Sequence, residues 1–418
     1  MSAARDILAR LPRGDRIQFQ MTIQNTSSEY PALLHQHARR AIAAGNFAGA
    51  AQLLGRIVQI DARNIGAWLG LAAAKRQLND IGGAYEALRQ VLRIEPRHFH
   101  ALLMTASLLE LEGRLKSAAS AYGAALANMP PAQFLDAATR QAAEHGRAVH
   151  ERHTRELNEH IRDQIAGSDK DLSLSERRRI EAFIGTTLRT RARYQQEPTD
   201  YYYPGLPAIE FYDREELPWI EEFEAATPEI QKELATILRE DEAGFSPYIH
   251  YDDHMPLDQW RELNHSPRWT AFHLIEKALP VPERVARAPA TMRALSKIPQ
   301  PQVKGRSPAA MFSVLQPKTR IPPHTGVANF RLVVHLSLIV PPGCGFRVGG
   351  ETREWRVGEA WAFDDTIEHE AWNDSDQVRI IFICDIWNPR LSPEERVMID
   401  RIIAATDTFN GITPDGQI

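Results

Sequence analysis

Two histidines in the C-terminal half stand in contexts suited to chemistry: His324 in IPPHTG, just before a strand-like run, and His369 in DDTIEHEAW, between two such runs. Arg379 follows ten residues after His369. A non-haem Fe(II) centre that uses an oxo-acid and oxygen needs neutral imidazoles for a borderline metal, open coordination positions, and a cation for the oxo-acid's distal carboxylate. These three residues supply those parts. Between them, FRLVVHLSL places Arg331, Val333, His335 and Ser337 on one side of a strand, opposite Leu332, Val334, Leu336 and Leu338. With His335 in mid-strand, a polar cavity explains that side better than a surface. A solvated polar face is the alternative.

Other donor clusters are weaker. His250, Tyr251, Asp252, Asp253 and His254 are metal-ligand types, but they crowd into five consecutive residues with no nameable supporting partner. His145, His150, His153 and His160 lie on a charged helical stretch from Pro131 to about Ala166 without an HExxH arrangement, which reads as a solvated helix face. PPGCGFRVGG lacks the strand-to-helix setting of a phosphate loop and reads as a hairpin turn.

The elements that must position His324, His369 and Arg379 are short runs punctuated by Pro and Gly: MFSVLQ, RLVVHLSLIV, GFRVGG, REWRV, EAWAFDD and VRIIFICDIW. Such spacing predicts a sandwich or barrel, specifically a double-stranded β-helix of the jelly-roll or cupin-like kind, with flanking helices. The first half is helical and periodic instead. Ala50, Ala84 and Ala118 are 34 residues apart, Gly45, Asn79 and Gly113 keep the same step at turns, and Leu54, Leu88 and Tyr122 keep it at large packing positions. Pro96 and Pro130 close two units, and Trp68 and Leu71 complete a pattern that resembles the tetratricopeptide repeat (TPR). The chain therefore reads as multidomain: an N-terminal tail (1–30), three TPR-like repeats (31–132), a helical connection (133–200), the β-helix domain (201–400) and a C-terminal tail (401–418).

Composition is that of an ordinary globular protein, 43% hydrophobic and 25% charged with a formal net charge of −5, and gives no electrostatic reason to expect nucleic acid. Only Cys344 and Cys384 are present, without a CxxC motif, which fits a reducing compartment. No apolar run is long enough for a signal peptide core or a membrane span, so the expected location is cytoplasmic, without membrane insertion.

The run from His324 to Pro389, with its HTG, FDD, EHEAWN and D-x-W-x-P signatures in order, resembles the catalytic core of the aspartyl/asparaginyl β-hydroxylase family, and FYDREELPWIEEFE resembles the opening of that domain. The resemblance spans about half the chain. It implies Fe(II) held by His324 and His369 alone, with 2-oxoglutarate and oxygen as co-substrates. Arg379 and Ser313 would bind the distal carboxylate of 2-oxoglutarate, His335 would lie near its oxo-acid end, and Arg331 would face the substrate. The family's second arginine is Val333 here, and the carboxylate ligand of most oxygenases of this fold is replaced by Gly326. Asp364, Asp365 and Glu368 are then expected to act outside the metal's own ligand set. The implied reaction couples decarboxylation of 2-oxoglutarate to succinate with hydroxylation of aspartyl or asparaginyl residues in a protein or peptide recruited by the repeats. Alternatives are a free amino acid, a small metabolite, a lipid acyl chain, or a non-catalytic binding scaffold.

Overall fold

The computed structural model describes residues 32–168, 170–240, 244–252 and 254–411; the expected N-terminal tail and Asp253 lie outside them. The chain divides into two compact units, Met1–Asp171 and Leu172–Ile418.

The first unit is a stack of helices: α1 (32–43), α2 (Phe47–Ile60), α3 (Ile65–Gln77), α4 (Ile81–Ile94), α5 (Phe99–Leu111), α6 (Leu115–Leu126) and the long α7 (Ala137–Ile165). The periodic alanines Ala50, Ala84 and Ala118 are completely buried, where the absence of a larger side chain lets helices approach. Gly45, Asn79 and Gly113 all adopt positive φ (72°, 59° and 73°), which explains why the turn tolerates only glycine or asparagine cheaply. Asn46, Asn64, Asp80 and Asp136 cap the following helices by accepting from backbone N–H groups. Helix α7 closes the stack: Gly146 lies against the Tyr122 ring, and any Cβ there would fall on it.

The second unit begins with α8 (Leu174–Thr187), opened by a Ser173/Glu176 capping box. Two antiparallel sheets follow. The larger comprises β1 (Ser246–Pro247), β2 (Trp269–Glu276), β3 (Leu279–Pro280), β4 (Ala310–Leu315), β6 (Arg331–Ile339), β9 (Ala360–Phe363) and β11 (Arg379–Trp387), in the order β1-β2-β4-β11-β6-β9 with β3 beside β2. The smaller contains β5 (Thr319–His324), β7 (Cys344–Val348), β8 (Glu351–Arg353) and β10 (His369–Asn373), in the order β5-β10-β7-β8.

Leu332, Val334, Leu336 and Leu338 of β6 face away from the smaller sheet, into a core shared with Phe223 of α9 (Ile220–Ala225), Ile230, Leu234 and Ile237 of α10 (Thr227–Glu240), and Leu295. The other side of the larger sheet meets the smaller one through a second core that includes Leu315, Phe346, Val348, Trp355, Phe363 and Ile381. His335 and Ser337 are buried on that inner side, so the polar stripe of β6 is interior. Residues 401–410 are not a tail. They continue the helix Pro393–Asn410, which has its own capping box and buries Ile399 and Ile403.

Candidate active site

His324 ends β5 and His369 begins β10, and the two are register partners with ring centroids 4.0 Å apart. Each ring is fixed in the same way: His324 Nδ1 lies 2.8 Å from the Pro322 carbonyl oxygen and His369 Nδ1 3.0 Å from that of Ile367. A carbonyl only accepts, so both Nδ1 atoms carry the proton, leaving the lone pair of each neutral ring on Nε2. Burial keeps the rings neutral, pulling His324 down to about 3 and His369 to about 4. Trp260 abuts His324 edge-on, with centroids 5.0 Å apart.

Arg379 is 1% exposed, and neither its Nε nor its Nη1 has a hydrogen-bond partner. Burial lowers it to about 10, so it stays charged at neutral pH. A buried cation with free donors and no carboxylate beside it is costly unless an anion enters. Ser313 lies diagonally across the β4–β11 ladder, opposite Ile381 and two residues from Leu315, the partner of Arg379. Its Oγ accepts from Trp269 Nε1 at 3.1 Å, which leaves the hydroxyl proton to donate elsewhere.

His335, opposite Ile383 on one side and Trp361 on the other, is also buried with an unpartnered Nδ1. Burial, then Arg379 and His369, hold it far below the usual histidine range. His335 and His369 both pack on Phe346 and Phe363. Ser337 Oγ is a further buried, unpartnered group.

Arg331 is not free. Its Nη2 lies 3.1 Å from Asp365 Oδ2 and its Nε 3.9 Å from Asp385 Oδ2. Asp365 also explains Gly326: a Cβ at that position would fall on the Asp365 carboxylate. Asp364 accepts from Thr366 and Gln196, and Glu368 pairs with Arg347 at 2.8 Å. Among the described residues the other donor clusters are not assembled. His145 bonds Glu110, His150 bonds the Ala119 carbonyl, and among the described residues no group of three or more His, Cys, Asp or Glu side chains is placed to hold a metal. Sequence reasoning missed the Asp365–Arg331 pair and the roles of Trp260, Trp269 and Trp355, which carry no local signal.

Residues 224–389 match the Aspartyl/Asparaginyl beta-hydroxylase family and residues 41–103 the Tetratricopeptide repeat family. The human Aspartyl/asparaginyl beta-hydroxylase is 36% identical over 143 residues, 34% of this chain and 18% of that protein. Human Aspartate beta-hydroxylase domain-containing protein 2 is 29% identical over 260 residues, 60% of this chain and 68% of that protein. The Ornithine lipid ester-linked acyl 2-hydroxylase of Rhizobium tropici is 33% identical over 193 residues, 45% of this chain and 63% of that protein. The chain thus spans less than a fifth of the human Aspartyl/asparaginyl beta-hydroxylase, and its match to that family's model lies at residues 224–389, behind the tetratricopeptide-repeat match at 41–103.

Proposed function

We propose that the C-terminal unit is an Fe(II)- and 2-oxoglutarate-dependent hydroxylase of aspartyl or asparaginyl residues in a protein or peptide that the helical repeats recruit. The observation that carries this reading is one interior holding both a pair of neutral, oriented imidazoles and a buried guanidinium with free donors. The strand orders β9-β6-β11-β4 and β8-β7-β10-β5 support its description as a double-stranded β-helix. The two free, buried cysteines suit a reducing, cytoplasmic setting.

His324 and His369 would hold the metal through Nε2, a donor set that fits a borderline divalent ion with positions left open. Bound Fe(II) would activate O2, the oxidant, so that one oxygen atom ends in the succinate left when 2-oxoglutarate loses carbon dioxide and the other in the new hydroxyl group of the substrate. Arg379 offers its free N–H groups to the distal carboxylate, Ser313 adds a hydroxyl donor, and neutral His335 lies toward the oxo-acid end without adding charge. Arg331, held by Asp365, presents a fixed cationic edge toward the substrate. The apolar walls around the histidines exclude water.

Purified protein should form succinate from 2-oxoglutarate only with Fe(II), and Arg379→Ala should raise the 2-oxoglutarate requirement by about thirtyfold or more, the loss expected for a desolvated charged contact. Unchanged affinity would place the carboxylate elsewhere. Capturing partners on His369→Ala protein, then seeking a 16-dalton gain on them with wild type, identifies the substrate. The Rhizobium tropici relative supports a second reading, acyl-chain hydroxylation; a 16-dalton gain on extracted lipids and none on captured proteins would select it.

A further inference from the structure

A buried guanidinium without a carboxylate needs some other partner, and here it is Trp355. This residue lies between β8 and β9, is 5% exposed, and carries an unpartnered Nε1. Its ring stands 5.0 Å from Arg379 Cζ. The same ring lies 6.0 Å from His335, tilted by 30°, and packs on Phe346 and Trp361 at 5.4 and 5.9 Å. One indole therefore adjoins the two groups that, in the reading above, flank opposite ends of the co-substrate.

We propose that Trp355 is a positioning residue that holds Arg379 ready for a carboxylate and, by spanning from Arg379 to His335, selects the chain length of the dicarboxylate accepted. The inference rests on the 2-oxoglutarate reading of the site. A carboxylate partner would occupy the guanidinium's N–H groups and compete with the ligand. An aromatic face instead attracts the cation through its quadrupole and leaves the in-plane donors free. That is the observed state of Nε and Nη1. The nearby Cys344 thiol does not substitute for such a partner, because burial pushes its ionisation up and keeps it neutral.

The test compares full-length wild type with Trp355→Phe, which keeps a weaker aromatic face, and Trp355→Leu, which removes it. Dissociation constants are measured by calorimetry with Fe(II) under anaerobic conditions, for 2-oxoglutarate, the one-carbon-longer 2-oxoadipate, and 2-oxobutyrate, which lacks the distal carboxylate. The preference for 2-oxoglutarate over 2-oxobutyrate should fall about threefold in Trp355→Phe and about thirtyfold in Trp355→Leu. Discrimination against 2-oxoadipate should narrow in the same order. A tryptophan serving only as packing would lower the thermal midpoint and weaken all three ligands together, and that result overturns the proposal. If Trp355→Leu does not fold, an unmoved preference in Trp355→Phe overturns it equally. Arg379→Ala separates the two levels. Should it leave the preference unmoved, the co-substrate reading itself fails; should it abolish the preference while Trp355→Leu does not, only the role of Trp355 falls.

Discussion

The two units treat their polar groups in opposite ways. In the helical unit, Glu110 accepts from Tyr122 Oη at 2.7 Å and meets His145 Nε2 at 2.9 Å, while His150 is tied to the Ala119 carbonyl. The one unpartnered buried side-chain atom among that unit's described residues is Asn158 Oδ1. In the β unit such atoms are more numerous, occurring also on His273, Gln300, Arg306, Arg353 and Arg396, and those of Arg379, His335, Ser337, Trp355, Trp361 and Asp365 gather between or beside the two sheets. Because an unpaired buried polar group costs about 1–3 kcal/mol, a fold keeps a concentration of them only where something else completes the bonds. A closed network marks architecture; an open one marks a site.

The sharpest way to break this contrast is to remove one histidine from each unit. On the proposed role of His369, His369→Ala should lose metal retention after gel filtration and reduce turnover by about a thousandfold. His145→Ala should change neither, and equal effects from both would erase the distinction.

Next in size is the buried ion pair of Arg331 and Asp365, close to His324. Arg331→Met strands the Asp365 carboxylate and should lower unfolding free energy by about 3–5 kcal/mol in a urea titration. A change under about 1 kcal/mol would mean that solvent reaches the pair.

Asp364 gives a pH signature. Burial raises it from the ordinary aspartate value to about 6, so the folded state holds this proton more tightly than the unfolded chain does. Its contribution to stability is complete below pH 4 and is lost as pH rises through 6, on the order of 3 kcal/mol in all. Asp364→Asn should flatten that decline in chemical denaturation between pH 4 and 7, and an unaltered slope would show that the carboxyl is solvated.

The smallest effect belongs to the closed network. Tyr122→Phe should cost about 1 kcal/mol, the net value of a hydrogen bond, and leave the dissociation constant of 2-oxoglutarate where it was. A shifted constant would couple two regions that the contrast holds apart.

How much of this could be read in the sequence differs between the units for a physical reason. Ala84 and Asn79 were legible because each repeat meets the same packing and turn requirements as its neighbours. His324 and His369 were legible from their motifs, and His335 from strand alternation, all of which are local. Trp355 was not, since REWRV contains nothing to show that its indole will lie under a guanidinium 24 residues later. Gly326 was read as a missing donor; only the tertiary structure shows the Asp365 carboxylate occupying the space beside it.

Strand β5 is an outer strand of the smaller sheet, and Pro322 and Pro323 immediately precede its last residue, His324. Neither has an amide hydrogen, so this margin cannot complete a hydrogen-bonded ladder with a strand from another molecule. The Pro322 carbonyl is spent on the His324 ring. The stretch leading to His324 is therefore also a barrier to self-association, and replacing both prolines would expose a short template for aggregation beside the histidine pair.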